Sequence, residues 1–492
     1  MKKTVALLLI LCLAVLPLVA CGGGAETTAP TGTKAPTSES RTIIETKTPA
    51  GTNFNGEKIK ILSRGDDDYI DEISLKPEEV KNIIDDSILQ REAYVEEKIG
   101  VDIVNEKVLI ANNYAQLTDT IREHFRSNLD EFQLMANNYY HSMDASLEGC
   151  FWNLEDIETI DLDMPWYAQY FIEEARTQDG LYFVTGDAAL SRLRFVFATF
   201  FNKELLAQFG TYDLYKMVDD GEWTIDAQAE IVSGIYSDEN GSNVRDEGDI
   251  FGLGTYFILG VDPYWSSFDL KLVGRDGDFF VEAMDDTQSE RMVDALTKIN
   301  KLFHENTGTY IVPRNGADLE LIDAMRMFSS NNFAFMTNRL IAVESEYLTD
   351  MENAYGILPM PMLNLDQDDY YSYSHDLMSC FGVPGTAPEA DLDMIGVVLE
   401  ELSAYSYNYT REAYFEIALK GRYARDAESR RMLDIIVDNL RINAGEIYSK
   451  VFGDIALTIR DLVKSNNSNW TRIYRSKKSI LQNGLDKLNG LK

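Results

Sequence analysis

The amino-acid sequence predicts an α/β protein with a parallel sheet and more than one lobe. Strand patterns alternate with helical patterns along the first third of the chain, which is typical of parallel sheets. The chain has 492 residues, 45% of them hydrophobic, which is enough for two or three lobes with apolar cores. Aromatic residues make up 11%, so rings are available to line a ligand cleft as well as to fill a core.

Each element of this alternation has its own signal. A short apolar run at 56–63 predicts a buried strand, and helical spacing of apolar residues over 77–100 predicts a helix that stops at its final glycine. Residues 101–104 predict a second strand, 114–128 a second helix, and 131–136 a third strand. Because the binding groups of a parallel sheet lie at the carboxyl ends of its strands, the loops that follow these strands are expected to hold ligand-binding residues.

The composition is strongly acidic and limits the kinds of partner. There are 81 acidic and 45 basic residues, which give a formal net charge of -36. Such a charge repels nucleic-acid backbones and anionic lipid headgroups, so we expect neither as a partner. The sequence has four histidines and no His-Glu-x-x-His, Gly-x-Ser-x-Gly or phosphate-binding glycine motif. Metal-hydrolase, serine-hydrolase and nucleotide-dependent reactions are therefore disfavoured.

The N-terminus resembles a bacterial lipoprotein signal peptide over residues 1–20. Lys2 and Lys3 precede a short apolar run, and Leu-Val-Ala at 18–20 leads directly into Cys21. The resemblance implies cleavage before Cys21 and lipidation of its thiol, which would anchor the mature chain to the extracellular face of the cell membrane. The membrane would then be contacted through this lipid only. An ordinary signal peptide with an incidental cysteine is the alternative.

Residues 21–55 are predicted to form a flexible tether. They are rich in Gly, Thr, Pro, Ser and Ala, and they contain too few large apolar residues to offset the loss of chain entropy on folding. A flexible chain of this length spans roughly 30 Å, enough to reach a partner in the same membrane. Beyond the tether only Cys150 and Cys380 remain in the folded part, and the sequence leaves open whether they pair.

The middle and the C-terminal third carry a further resemblance. Its motifs occur in one order along the chain: 179–186, 195–206, Trp-Thr at 223–224, 332–337, 355–361 and Cys-Phe-Gly-Val-Pro at 380–384. Together they resemble extracellular solute-binding proteins of family 1, the maltose-binding type. The resemblance implies a two-lobed, periplasmic-binding-protein-like type II fold with a hinge between the lobes. It divides the chain into a first lobe, 56–187 with 376–445, and a second lobe, 188–375 with 446–492.

The same resemblance implies a function. The chain would be the lipid-anchored solute-binding component of an ABC importer, and it would act as a monomer that delivers solute to the permease subunits of the transporter. Lobe closure would capture a small polar solute, a sugar or an oligosaccharide, without any reaction and without a required cofactor. Sugar rings offer apolar faces for aromatic stacking and a rim of hydroxyls for polar side chains, so a cleft with both kinds of residue is expected.

Candidate ligand-binding residues follow strand ends and the two crossings between the lobes. In the first lobe and the first crossing they are Arg64, Asp66, Asn137, Asn138, Tyr139 and Asp187. In the second lobe and the return crossing they are Tyr264, Trp265, Asn338, Arg339, Ser374, His375, Asp376 and Trp470. The alternative for the polar residues is a solvated turn or a helix cap, and for the tryptophans it is the core.

Residues 238–249 have the spacing of a calcium-binding loop. The oxygen donors are the side chains of Asp238, Asn240, Ser242 and Asp249 and the backbone carbonyl of Val244. Two positions depart from the usual pattern, because Asn243 stands where Gly is usual and Asp249 is shorter than the usual Glu. The sequence therefore leaves a solvated turn as the alternative to a structural calcium site.

Two other functions stay open on the sequence. A secreted glycosidase needs only a pair of carboxylates at a suitable separation, which 81 acidic residues do not exclude. A surface adhesin for a polysaccharide would need an open aromatic platform and no lobe closure. A glycosidase would cleave an oligosaccharide, whereas a binding protein would be thermally stabilised by the sugar and would release it intact.

Overall fold

The computed structural model describes residues 42–65, 71–109, 113–313 and 319–491. The signal peptide, Cys21, the tether up to residue 41 and the candidate ligand residue Asp66 lie outside these ranges. Among the described residues, no helix combines the length and the apolar character needed to cross a membrane.

The strands, in chain order, are β1 (Glu57–Arg64), β2 (Val101–Val108), β3 (Leu134–Asn138), β4 (Phe197–Asn202), β5 (Tyr236–Ser237), β6 (Ile250–Thr255), β7 (Val273–Asp276), β8 (Phe279–Glu282), β9 (Thr309–Ile311), β10 (Phe333–Arg339), β11 (Tyr355–Leu358) and β12 (Ser379–Gly382). The α-helices are α1 (Ile83–Ile99), α2 (Gln116–Ser127), α3 (Met143–Ser146), α4 (Gln169–Ala175), α5 (Ser191–Arg194), α6 (Lys203–Phe209), α7 (Leu214–Asp219), α8 (Ile225–Ser233), α9 (Pro263–Ser267), α10 (Asp286–Asn300), α11 (Leu319–Ser329), α12 (Glu346–Thr349), α13 (Leu392–Tyr405), α14 (Ala427–Asp438), α15 (Ala444–Ile447), α16 (Thr458–Lys464) and α17 (Trp470–Leu488).

These elements form two main sheets, one for each predicted lobe. The first sheet has the order β12-β3-β1-β2, in which β1 is parallel to β2 and to β3, and β12 is antiparallel to β3. The second sheet has the order β11-β4-β10-β6-β5, with β9 also paired to β6. A separate hairpin joins β7 and β8. The parallel arrangement predicted for the first third of the chain is confirmed.

Local signals fix where these elements begin and end. Helix α1 stops at Gly100, which has a left-handed backbone (φ 65°) and donates its N–H to the carbonyl of Glu96, as is typical of a glycine C-cap. The helix begins at Ile83 and not at Pro77, because the Asn82 side chain caps the N–H groups of the first turn. Thr224 caps α8 in the same way, by accepting the N–H of Ala227.

The central strands of the second sheet are apolar along most of their length because both of their faces are buried. Strands β4, β10 and β11 bury nearly every side chain, including Phe200, Phe333, Met336 and Ile357. Helices cover both faces of such a sheet, so alternation between apolar and polar residues disappears. Helix α14, which lies within 376–445, packs against β11 of this second sheet. The lobe boundaries themselves stay a prediction.

Residues 184–197 and residues 373–381 run side by side where the chain passes between the sheets. Val184 and Phe381 form an antiparallel bridge with backbone hydrogen bonds of 2.7 and 3.0 Å. Further along, the N–H of Phe197 donates to the carbonyl of Tyr373 at 3.0 Å. These backbone hydrogen bonds give the crossing a defined path, and they place residues 373–376 between the two sheets.

The two cysteines of the folded part do not form a disulfide. Cys150 and Cys380 are both free thiols and both are buried. Burial raises the pKa of the Cys380 thiol to about 12, so this thiol stays protonated and packs as a small apolar group.

Gly186 at the first crossing is expected to tolerate no side chain. A β-carbon there would lie 2.0 Å from the backbone carbonyl oxygen of Trp166, which cannot move aside without breaking the hydrogen bond it accepts from Asp187. The substitution Gly186→Ala should lower the free energy of unfolding by about 1–3 kcal/mol, measured by chemical denaturation. The control is Gly234→Ala, where the nearest atom would be 3.6 Å away. Equal stability of the two variants would contradict the prediction.

Candidate functional site

A cavity lies between the end of β3 in the first sheet and α9, which follows β6 of the second sheet. Its lining side chains are aromatic, acidic, aliphatic or small: Tyr139, Tyr140, Asp262, Trp265, Tyr373, Asp376, Glu446, Ser449, Ala456, Leu457 and Ile459. The empty space, including the part open to solvent, is about 380 Å³. Only about 20 Å³ of this space can hold the centre of a water-sized sphere, which is room for one or two water molecules.

Aromatic rings form two walls of the cavity. Tyr139, the first residue after β3, is fully buried, and its hydroxyl lies 3.2 Å from the hydroxyl of Tyr373 at the return crossing. On the opposite side, Trp265 of α9 packs edge-to-face on Trp470, with ring centroids 6.0 Å apart. Trp470 in turn stacks on Tyr474 of α17. The rings are therefore held in fixed orientations by other rings.

A buried ion pair connects these walls to the C-terminal helices. Arg460 of α16 contacts both carboxylate oxygens of Asp262, with its Nε 2.5 Å from Oδ1 and its terminal nitrogen 2.7 Å from Oδ2. Burial raises the pKa of the Asp262 carboxyl, and the pair with Arg460 opposes that shift. A two-point contact of this kind fixes both side chains and places Asp262 at the edge of the cavity.

Asp376 is the carboxylate at the return crossing. Its Oδ1 lies 3.2 Å from Nε2 of His375, and its Oδ2 lies 4.0 Å from the guanidinium of Arg460. Burial raises the pKa of Asp376 to about 6. Burial, followed by the nearby arginines, lowers the pKa of His375 well below its ordinary value, so the imidazole is neutral near pH 7. His375 therefore lies beside Asp376 without supplying a positive charge.

Glu446 of α15 is the third carboxylate of the cavity and is only 8% exposed. It accepts hydrogen bonds from the hydroxyl of Ser266 at 2.5 Å and from the backbone N–H and side-chain amide of Asn443. Burial raises its pKa from 4.5 to about 8. In the empty cavity at neutral pH this carboxyl is therefore largely protonated.

The raised pKa of Glu446 predicts a pH-dependent stability. The folded state holds a proton that the unfolded chain releases above about pH 4.5, so this contribution is complete below pH 4.5 and is lost as the pH rises through 8. The free energy of unfolding should therefore fall between pH 5 and pH 8, by up to about 1.4 kcal/mol per pH unit from this group. Glu446→Gln should show a smaller fall in chemical denaturation at the two pH values.

The exposed Glu123 provides the control for this measurement. Glu123→Gln should keep the pH dependence of the unmodified chain. If Glu446→Gln also keeps it, then Glu446 does not take up a proton on folding.

The structure brings several predicted ligand residues to the cavity. Tyr139, Trp265 and Asp376 line it directly. His375 and Trp470 support two of these, His375 through its contact with Asp376 and Trp470 through the ring of Trp265. Tyr264 is fully buried beside them in α9 and packs against the rings of Phe268 and Phe303.

The other candidates of the first lobe do not line this cavity. Arg64 donates to the carbonyl of Leu377 and to the hydroxyl of Ser379, and so connects β1 to the return crossing. The side chain of Asn137 donates to Thr118, and the Asn138 side chain accepts from the N–H of His141 and caps the turn after β3. A role of these residues in solute binding stays a prediction.

The remaining candidates lie near the crossings but also outside the cavity lining. Asp187 forms a buried ion pair with Arg192 at 2.7 Å. At the end of β10, Asn338 accepts the N–H of Arg339, whose guanidinium lies over the ring of Phe195. Ser374 pairs through its backbone with residue 196 of the first crossing. Their role in binding likewise stays a prediction.

Sequence reasoning did not select several residues that line or support the cavity. They are Tyr140, Asp262, Tyr373, Glu446, Ser449 and Arg460. Tyr140, Asp262 and Tyr373 are immediate neighbours of selected residues, so a wider window around each strand end would have included them. Glu446 and Arg460 belong to C-terminal helices without any strand-end signal, and only the fold brings them to the cavity.

The predicted calcium loop forms a turn that is closed by its own hydrogen bonds. The Asp238 carboxylate accepts the N–H groups of Ser242 and Asn243, and Asn240 pairs with Asp246. Asp249 is buried and accepts from the hydroxyl of Tyr236 and the N–H of Asp246, while the hydroxyl of Ser242 donates to the carbonyl of Val244. Among the described residues, no group of three or more His, Cys, Asp or Glu side chains is arranged to hold a metal. Calcium binding by this loop, which also uses amide, hydroxyl and carbonyl oxygens, stays a prediction.

Comparison with solved structures supports the two-lobed fold. No family model matches the sequence, and no curated protein is similar to it in sequence. The GacH receptor of Streptomyces glaucescens matches with a TM-score of 0.53 and 16% identity, over 89% of this chain and 98% of the receptor. A cyclo/maltodextrin-binding protein, solved with maltotetraose, matches with a TM-score of 0.54 and 10% identity, over 87% and 97% of the two chains.

A family 1 extracellular solute-binding protein from Bifidobacterium longum subsp. infantis also matches, with a TM-score of 0.50 and 13% identity, over 86% of this chain and 99% of that chain. The chain therefore has the two-lobed, periplasmic-binding-protein-like α/β fold of these solute-binding proteins. The predicted fold class is confirmed. At 10–16% identity these matches show the fold and do not identify a solute.

Proposed function

We propose that this protein is the solute-binding component of an ABC importer and that it captures a sugar or an oligosaccharide by closure of its lobes. The observation that carries this proposal is the cavity between the two sheets, where four aromatic rings stand beside three carboxyl groups. Structural neighbours support it, because they are named as receptors or binding proteins and include complexes with acarbose and maltotetraose.

The cavity has the two kinds of group that a sugar requires. The rings of Tyr140 and Trp265 offer faces for the apolar side of a pyranose, while Asp376 and Glu446 offer oxygens for its hydroxyls. The indole N–H of Trp265 is buried and has no acceptor among the described residues. Because an unsatisfied buried donor is costly, a hydroxyl oxygen of the solute is a suitable partner for it.

Lobe closure follows from the position of the cavity in the fold. It lies between two sheets that are joined by crossing segments, so a hinge motion at the crossings would open and close it. We assign residues 56–187 with 376–445 to one lobe and 188–375 with 446–492 to the other. A permease would then distinguish the closed, loaded monomer from the open one. This function needs no catalytic residue.

A ring at the cavity provides the test of this proposal. Tyr140 is half-buried, so Tyr140→Ala removes stacking area with less risk to folding than a change at the fully packed Trp265. Sugars that raise the melting temperature in a screen of mono- and oligosaccharides, with peptides as controls, should bind about tenfold more weakly to this variant. Titration calorimetry measures the affinity.

The control is Tyr94→Ala, an exposed ring on α1 far along the chain from the cavity. It should bind sugar like the unmodified chain. Recovery of the oligosaccharide uncleaved distinguishes the binding protein from a glycosidase. If no sugar stabilises the protein, or if the sugar is hydrolysed, the proposed function is wrong.

We also propose that Cys21 carries the lipid that anchors this protein outside the cell membrane, after cleavage of the signal peptide before it. The Leu-Val-Ala-Cys sequence at 18–21, behind a basic and apolar leader, supports this. In cells fed a labelled fatty acid, the unmodified chain should incorporate the label and Cys21→Ser should not. Cys150→Ser, which changes a buried thiol of the folded part, should retain it. Label on the Cys21→Ser chain would contradict lipidation at this residue.

A further inference from the structure

We propose that the solute carries a protonated amine in addition to hydroxyls, so that its chemical class is an amino sugar with a free amino group. This inference rests on the proposed function, because it takes the cavity between the sheets as the solute site. Three features of the cavity carry it: the sign of its charged side chains, the lack of close counter-ions for two of them, and the aromatic faces beside them.

All the charged side chains that line the cavity are acidic. They are Asp262, Asp376 and Glu446. The charge of Asp262 is offset inside the protein, because Arg460 contacts both of its carboxylate oxygens. No Lys or Arg side chain lines the cavity. The nearby ammonium of Lys450 lies over the Tyr140 ring, 5.0 Å from its centroid.

Asp376 has no close counter-ion of its own. Arg460 comes no closer to it than 4.0 Å and is already engaged with Asp262. The neutral ring of His375 lies 3.2 Å from Asp376 and brings no charge. The Asp376 side chain is only 13% exposed, so water compensates little of its charge. A cation from outside the chain would provide the missing partner.

Glu446 has polar partners but no ionic one. It is hydrogen-bonded to Ser266 and to Asn443, which are both neutral. No ion pair joins it to a described Lys or Arg, although the residue lines the cavity. An ammonium group in the cavity would favour the ionised carboxylate and would contact it directly.

The rings complete a site for a cation with attached hydroxyls. The faces of aromatic rings attract ammonium groups, and Tyr139, Tyr140, Trp265 and Tyr373 surround the two carboxyls. The Trp265 ring is 3% exposed, and its N–H has no acceptor within the described part of the chain. A donor of this kind needs an oxygen, which a hydroxyl of the sugar ring supplies. The amine and the hydroxyls thus have separate partners.

A neutral sugar is the competing occupant. It would satisfy the N–H of Trp265, and its hydroxyls could donate to Asp376 and Glu446, but it would bring no positive charge to offset either carboxylate. The amino sugar and the neutral sugar differ only in the amino group. Affinities for sugars with the same skeleton therefore show which of the two the site prefers.

The experiment compares three β-1,4-linked disaccharides that differ at the second carbon of each ring. The probes are the glucosamine disaccharide, the N-acetylglucosamine disaccharide and cellobiose, titrated into the full-length mature protein by calorimetry. The free amine should bind at least about tenfold more tightly than the other two. Equal or tighter binding of the acetylated or neutral sugar overturns the amine inference and leaves the proposed function standing. If no sugar binds, whether neutral, acetylated or bearing a free amine, both fail.

Isosteric variants assign the effect to the two carboxyls. Asp376→Asn and Glu446→Gln keep the shape of each side chain and remove its charge. Each should weaken binding of the glucosamine disaccharide about tenfold and change that of cellobiose less than about twofold. Asp461→Asn, on the exposed face of α16, is the matched control and should change neither. Melting temperatures verify that the variants fold. An equal loss for all the sugars would overturn the role of charge.

Discussion

The cavity depends on the buried ion pair between Asp262 and Arg460. It joins α9, which carries Trp265, to α16, which belongs to the C-terminal helices. Asp262 is buried whereas the Arg460 side chain is 25% exposed, so removal of Arg460 would leave a buried carboxylate without its partner. The pair therefore keeps the second sheet and the C-terminal helices in one arrangement, and this arrangement forms one wall of the site.

The crossing between the sheets also constrains the cavity, because it fixes the positions of lining residues. Backbone hydrogen bonds between the two crossing segments fix residues 373–376, so Tyr373 and Asp376 enter the cavity from a segment with a defined path. Tyr139 reaches the same space from the end of β3. The groups that line the cavity thus come from both sheets and from the connection between them. Under the proposed function, this arrangement would couple solute binding to a hinge motion.

Strand-end reasoning selected residues that line the cavity where the residue directly follows a strand or lies on a crossing. Tyr139 and Asp376 are of this kind, and both line the cavity. The same reasoning selected Asn138, whose side chain instead caps the turn after β3. Short polar side chains at a strand end serve local backbone groups as readily as a ligand, and the sequence does not distinguish the two uses. Glu446 was missed because α15 has no strand before it.

The alternation of strands and helices and the stop of α1 at Gly100 could be predicted from the chain alone, because each depends on residues within a few positions of one another. That Asp376 and Glu446 share one cavity with Trp265 is visible only in the folded protein. Which carboxyls are buried together depends on contacts between residues far apart in the chain. Burial in turn raises the pKa values of these carboxyls and so sets their protonation. No local sequence pattern encodes which carboxyls are buried.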